Sequence, residues 1–235
     1  MLKNKSQKTN VAKTDVEKFL KDTKLKSYQS IKLPYGLKTP GMDRSNSAEL
    51  VFKYPIDDKS VLDIGCKYGY FCHEAMKRGA NQVVGVEISE NNYKIAKKII
   101  EFTNLEIQFQ NTDFMLLPES PRYDIVLFLN ILHHILNPIQ AMKKLSNLAN
   151  EMVVIEFSAI FDNHTKFTLI QKGLLRLFFM KVPFSYIGNQ KYHRVWYFSK
   201  DAFINLFVNQ MSLFKRIEFE KSPRKRGRFI AYCWK

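Results

Sequence analysis

The sequence predicts an α/β fold: a mostly parallel sheet with helices on both faces. Three observations predict it. Short apolar runs recur at 60–64, 83–87, 105–109, 123–129 and 152–157. Helical periodicity fills most intervals between them, at about 70–79, 90–102 and 138–149. Two further strand-like runs, "FKRIEFE" (214–220) and "GRFIAYCW" (227–234), close the chain with only a short basic link between them. Alternating strands and helices bury a sheet on both faces. A short link joins strands antiparallel, because a parallel pair needs a longer crossover.

Residues 1–12 are polar and basic and are expected to be disordered. In "TDVEKFLKDTKL", Thr14 and Glu17 have capping-box spacing, with Val16, Phe19 and Leu20 at helical intervals. The Pro- and Gly-rich "KLPYGLKTPGMDRS" (32–45) reads as an irregular linker. This divides the chain into a basic extension, 1–45, and a main domain, 46–235. Asn137-Pro138 marks a helix start, with Asn as cap and Pro in the first turn. After residue 158 the rhythm breaks into an aromatic-rich insertion, 159–198, followed by a helix at about 200–210.

The 235 residues suffice for one well-buried domain, and 46% apolar content is that of a globular chain. No uncharged apolar run is long enough to span a membrane, and the basic N-terminus lacks the apolar segment of a signal peptide. The expected location is cytoplasmic. Three cysteines, Cys66, Cys72 and Cys233, offer no paired framework or metal-ligand spacing. The net charge of +15 is concentrated at the ends: +7 over 1–40 and +6 over 215–235. Such ends suit phosphate backbones or an anionic membrane surface, or serve solubility alone.

"VLDIGCKYGYF" (61–71) runs from a strand into a turn with glycines at 65 and 69. Ligands of α/β sheets bind beyond the carboxyl ends of strands, where such a loop opens a helix. Glu87 ends the next strand, where an acid can accept from ribose hydroxyls. A dinucleotide fingerprint would need glycines at 65, 67 and 70, but Lys67 and Tyr70 stand at the last two. Asp63 also suits a cationic ligand better than a pyrophosphate. A nucleoside with an amino-acid tail, a sulfonium and no phosphate fits, which is S-adenosyl-L-methionine.

"VLDIGCKYGYFCHEAMKRGANQVVGVEIS" resembles the first two motifs of class I S-adenosylmethionine-dependent methyltransferases. The resemblance covers about 50–158 and 195–235. It implies a Rossmann-like fold with a seven-stranded, mostly parallel sheet ending in an antiparallel hairpin. It further implies that Asp63, Gly65, Cys66 and Gly69 lie along the methionine part of the cofactor. Glu87 would take the ribose and Ile88 would pack on the adenine. Asp113 in "NTDF" would meet the adenine amino group, with Phe114 beside it, and Asn130 would face the methionine moiety. "KTPGMD", "GCKYGYFCHEAMKRGA" and "LHHILNPIQAMKKL" are similar to the branch containing tRNA wobble-uridine 5-oxyacetate methyltransferases. That branch uses carboxy-S-adenosylmethionine and holds its carboxylate with a Lys, a Tyr and an Arg. Here the Lys would be Lys32 or Lys38 and the Arg would be Arg228, while the Tyr position falls on His133.

Methyl transfer from a sulfonium chiefly requires alignment and exclusion of water. A base is needed only where the acceptor must lose a proton. His133 and His134 follow the fourth strand and are the candidates. The chain lacks an Asn-Pro-Pro-aromatic motif and a Pro-Cys nucleophile, so base-amine and pyrimidine-C5 methylation of nucleic acid are disfavoured. In the insertion, "FTLIQKGLLRLFFMKVPF" (167–184) suits a lid over an apolar pocket or a helix lying on a membrane surface. Tyr192, Arg194 and Trp196 in "KYHRVWYFS" could stack bases and pair phosphates, or simply pack. The leading acceptor is a small hydroxyl or carboxylate metabolite. A tRNA base is the alternative, and a silent RNA-binding subunit is a third reading.

Overall fold

The computed structural model describes residues 11–23, 25–158, 185–187, 196–224 and 228–235. The expectations for 1–10 and for most of the 159–198 insertion, including 167–184, Tyr192 and Arg194, lie outside them.

Seven strands form the central sheet: β3 (Ser60–Ile64), β4 (Gln82–Val86), β5 (Ile107–Gln110), β6 (Tyr123–Leu129), β7 (Ala149–Ser158), β10 (Arg216–Lys221) and β11 (Arg228–Trp234). Their spatial order is β10-β11-β7-β6-β3-β4-β5. The first five are parallel, and β11 pairs antiparallel with both β7 and β10. The expected class I methyltransferase architecture is therefore present. Between the parallel strands run α3 (Tyr70–Lys77), α4 (Glu90–Thr103) and α5 (Pro138–Leu148). Asn137 caps α5 as its sequence suggests, its Oδ1 accepting from the Gln140 N–H at 3.1 Å. Small antiparallel strands β8 (Ser185–Ile187) and β9 (Trp196–Phe198) pair beside the sheet.

Each face of the sheet buries its own apolar cluster. One gathers Val61, Val83, Ile99 and Ile125; the other gathers Leu62, Val84, Phe128 and Leu145. Adjacent residues of one strand, such as Val61 and Leu62, enter opposite clusters, as the two-residue period of a strand requires. That burial accounts for the near-continuous apolar runs of the parallel strands.

Three local expectations are corrected. Helix α1 (Lys13–Asp22) begins one residue before Thr14 and has Ala12 at its cap position, with no side-chain capping bond. Thr14 thus lies inside the helix, and Glu17 pairs with Lys13 at 3.5 Å. The 32–45 segment is a packed structure and not an irregular linker. Strands β1 (Tyr28–Gln29) and β2 (Gly41–Met42) pair in parallel around a turn at Pro34–Gly36, and Lys32 bridges Lys38. Val16, Phe19, Ile31 and Leu33 join the core cluster on one face of the sheet, so the extension shares that core. An unanticipated helix, α2 (Ser45–Val51), follows. The expected helix at 200–210 runs as α-helix over Lys200–Ile204 and continues as a π-helical turn over Asn205–Gln210.

Candidate active site

The sheet order reverses at β3, which is flanked by β4 on one side and β6 on the other. Crossovers leave this point in opposite directions and open a crevice at the carboxyl ends of the strands. A cavity of about 20 Å³, enough for roughly one water, lies there, lined by Tyr28, Gln29, Asp63, Gly65, Cys66, Phe71, Leu129 and Asn130. Four sequence candidates from two strands and one loop thus meet around it.

The loop is held by its backbone. The N–H groups of Gly65 and Cys66 both donate to the Val86 carbonyl, at 2.7 and 3.1 Å. Gly65 has a φ of +68°, and a Cβ there would lie 2.2 Å from Cδ1 of Ile131. The Ile131 side chain therefore packs directly on the glycine and leaves no room for a side chain there. Gly69, at φ +85°, precedes α3, and its carbonyl is bonded by His73 Nδ1 at 2.7 Å. Burial pushes His73 down to about 4, so its neutral ring braces the loop.

Asp63 is buried at the end of β3, and the Cys72 thiol donates to its Oδ2 at 3.4 Å. Burial pushes its carboxyl up to about 7, with Glu87 adding to the rise against the thiol bond. A carboxyl so placed gains from a cation beside it. Glu87 follows β4 and is also buried. Its Oε2 accepts from the Lys67 N–H at 2.9 Å, and its Oε1 accepts from the Ser89 N–H at 2.9 Å and Asn92 Nδ2 at 3.4 Å. Next to it Ile88 is 69% exposed, an uncovered apolar face at a strand end. Asp113 caps the turn Phe114–Leu116 by accepting from the Met115 N–H at 2.9 Å. Phe114 is buried against Phe128, with ring centroids 5.3 Å apart.

Asn130 leaves β6 at φ +65°. Its side-chain amide is gripped at both ends: Arg228 Nη1 donates to its Oδ1, and its Nδ2 donates to Oε2 of Glu156. Glu156, fully buried in β7, also accepts from Ser222 Oγ and, at 3.2 Å, from Arg44 Nη2. Arg44 is 3% exposed, and its guanidinium stands 5.5 Å from the centroid of Phe71, a cavity residue. Its Nη1 is buried without a hydrogen-bond partner among the described residues. Neither Arg44 nor Glu156 was anticipated. The one signal for Glu156 is a lone acid inside the apolar run "MVVIEFS", which implies a buried partner.

His133 is buried and His134 exposed on the turn after Asn130, with ring centroids 4.2 Å apart. Trp196 Nε1 donates to the Leu136 carbonyl at 3.1 Å, close to that turn in sequence. Lys32 and Lys38 face each other as exposed residues of the N-terminal cap and do not line the cavity.

A family model described as a methyltransferase domain matches residues 42–210. The chain belongs to that family. The chain is similar to "ubiquinone biosynthesis O-methyltransferase" of Bartonella tribocorum, 34% identical over 82 residues, which are 34% of this chain and 33% of the relative. The protein of the same name from Coxiella burnetii is 33% identical over 106 residues, 45% of each chain. These matches span a third to under a half of the relatives' length. Among solved structures, the N-terminal domain of EvdMO1, described with SAH and D-fucose, aligns with a TM-score of 0.67 at 14% identity, covering 95% of this chain and 97% of that one. Magnesium protoporphyrin IX methyltransferase (ChlM) from Synechocystis PCC 6803, with bound SAH, gives 0.54 at 19% identity, covering 81% and 84%. These two likenesses support the fold.

The donor of this enzyme class is S-adenosylmethionine, and the residues present fit it. A buried acid lines the glycine loop's cavity, and a buried guanidinium with an unused N–H stands against Phe71 of its wall, groups suited to a zwitterionic tail. Among the described residues no helix is long and apolar enough to cross a membrane.

Proposed function

We propose that the protein is an O-methyltransferase that moves the methyl group of S-adenosylmethionine onto a hydroxyl or carboxylate oxygen of a small molecule. The observation that carries the reading is Asp63 buried at the glycine-loop cavity, with the Arg44 guanidinium against Phe71 of the cavity wall. Asp63 suits the amino group of the methionine tail, and Arg44 Nη1 suits its carboxylate. When bound, the cofactor supplies a methyl group already activated on a sulfonium.

The remaining roles belong to the chain itself. Glu87 accepts from the ribose hydroxyls, exposed Ile88 covers one adenine face, and Asp113 meets the adenine amino group. The grip of Arg228 and Glu156 on Asn130 fixes the wall nearest the acceptor. His133 takes the proton of a hydroxyl acceptor, and the adjoining His134 ring passes it towards solvent. Alignment of donor and acceptor supplies most of the rate. The O-methyltransferase names of the relatives favour oxygen as the accepting atom. The carboxymethyl and tRNA reading has less behind it: Lys32 and Lys38 are away from the cavity lining, and Arg228 already holds Asn130.

The test is methyl transfer from radiolabelled S-adenosylmethionine to a panel of small hydroxy and carboxylic acids, with bulk tRNA in parallel. Label in the small-molecule fraction is expected. Label confined to tRNA would refute the proposal.

A further inference from the structure

Segments far apart in the chain bring cations together at Tyr28, a residue that lines the cavity. Tyr28, which lines the cavity, belongs to the N-terminal cap. Over its ring stands Lys67 of the glycine loop, with Nζ 3.7 Å from the centroid. Arg224, from the connection between β10 and β11, places its guanidinium 5.4 Å from the same centroid. Lys26 lies two residues before Tyr28, and its backbone N–H donates to Tyr68 Oη at 3.3 Å. A cation from the C-terminal hairpin thus meets one from the glycine loop at a ring of the N-terminal extension.

This grouping is electrostatically one-sided. Burial, then the charges of Lys26 and Arg224, push the Lys67 ammonium below its usual range, opposed by Glu87. Both oxygens of Glu87 already accept hydrogen bonds from the loop and from the start of α4. Arg224 Nε is buried without a partner among the described residues. Like charges held together gain when an anion joins them. The aromatic ring adds attraction for the cations but no negative charge.

We propose that Lys26, Lys67 and Arg224 receive an anionic group of the acceptor, a phosphate or carboxylate, at the entrance to the methyl-transfer site. This rests on the O-methyltransferase reading and narrows its substrate class. The cluster is compact, with Lys67 and Arg224 at one ring and Lys26 two residues before it, and so suits a single anionic group better than a nucleic-acid backbone, which calls for an extended track.

The experiment is isothermal calorimetry of inorganic phosphate and, separately, acetate against the full-length protein and its K26Q/R224Q variant. S-adenosylmethionine is titrated into both proteins. Saturable binding of either anion, weakened at least tenfold in the variant while donor affinity is unchanged, supports the site. The preferred anion identifies the group. Absence of saturable binding, or equal binding to both proteins, overturns it. Binding of a 20-nucleotide RNA that depends on these residues, with no binding of either anion, overturns it in favour of a nucleic-acid surface. Anion binding without donor binding would uphold the cluster and refute the methyl-transfer reading alone.

Discussion

The backbone N–H of Lys67 donates to Oε2 of Glu87 at 2.9 Å, tying the middle of the glycine loop to the acid after the next strand. Lys67 adopts φ +53° to make this bond. The bond needs only the main chain, so the side chain is free to reach Tyr28. That explains how a lysine occupies a position where a pyrophosphate-binding loop would require glycine.

Lys67→Gly is therefore expected to keep cofactor affinity within about threefold. It loses a cation–π contact of roughly 0.5–1 kcal/mol and gains a residue at ease in the left-handed region. Gly65→Val is expected to abolish binding, because φ +68° is strained for a branched residue and the side chain would meet Ile131. Calorimetric titration of S-adenosylmethionine checks both. Loss of binding in Lys67→Gly would make that side chain a direct cofactor ligand.

Asp63 predicts a pH dependence. Its carboxyl titrates near 7 in the ligand-free fold, against an ordinary value of 3.8. The folded state thus binds the extra proton between those values, and stability falls as pH rises through about 7. A cationic amino group reverses the preference by favouring the carboxylate. Cofactor affinity should rise by up to about tenfold per pH unit below 7 and level off above it. Asp63→Asn should bind more weakly, with a flat profile. A flat wild-type profile would remove Asp63 as the partner of the amino group.

Glu156 holds the centre of a buried network with Arg44, Asn130 and Ser222. Glu156→Gln removes the one acid that the network places among two arginines. Breaking such a buried pair costs about 3–5 kcal/mol, expected as a lowered midpoint in urea denaturation. A midpoint equal to that of wild type would show that the carboxylate charge is not needed there.

His133→Asn should lower kcat by about 10²–10⁴ for a hydroxyl acceptor if the imidazole takes its proton. The dissociation constant of the cofactor should stay within about twofold, since His133 is absent from the cavity lining. His134→Asn should have a smaller effect on kcat. Equal turnover in wild type and His133→Asn would leave proton removal to solvent.

What could be read in the sequence follows from short-range physics. The parallel strands were legible because both faces are buried, which makes each a short continuous apolar run, as in "YDIVLFL" over β6. The start of α5 was legible because Asn137 and Pro138 act within one turn. Asp63, Gly65 and Glu87 were legible because one loop and two strand ends set their spacing. By contrast, the packing of 32–45 depends on Ile31 and Leu33 finding a core formed by residues well beyond the turn, which overrides the local signals of Pro and Gly. Arg44 and Glu156 meet across 112 positions, so nothing local to either one names the other. The sequence by itself determined the α/β order, the glycine loop after the first strand of the sheet and the two basic ends. Only the tertiary structure decided that Arg44 stands against Phe71 and that Lys67 and Arg224 meet at Tyr28, because these are contacts between segments that only the folded sheet brings together.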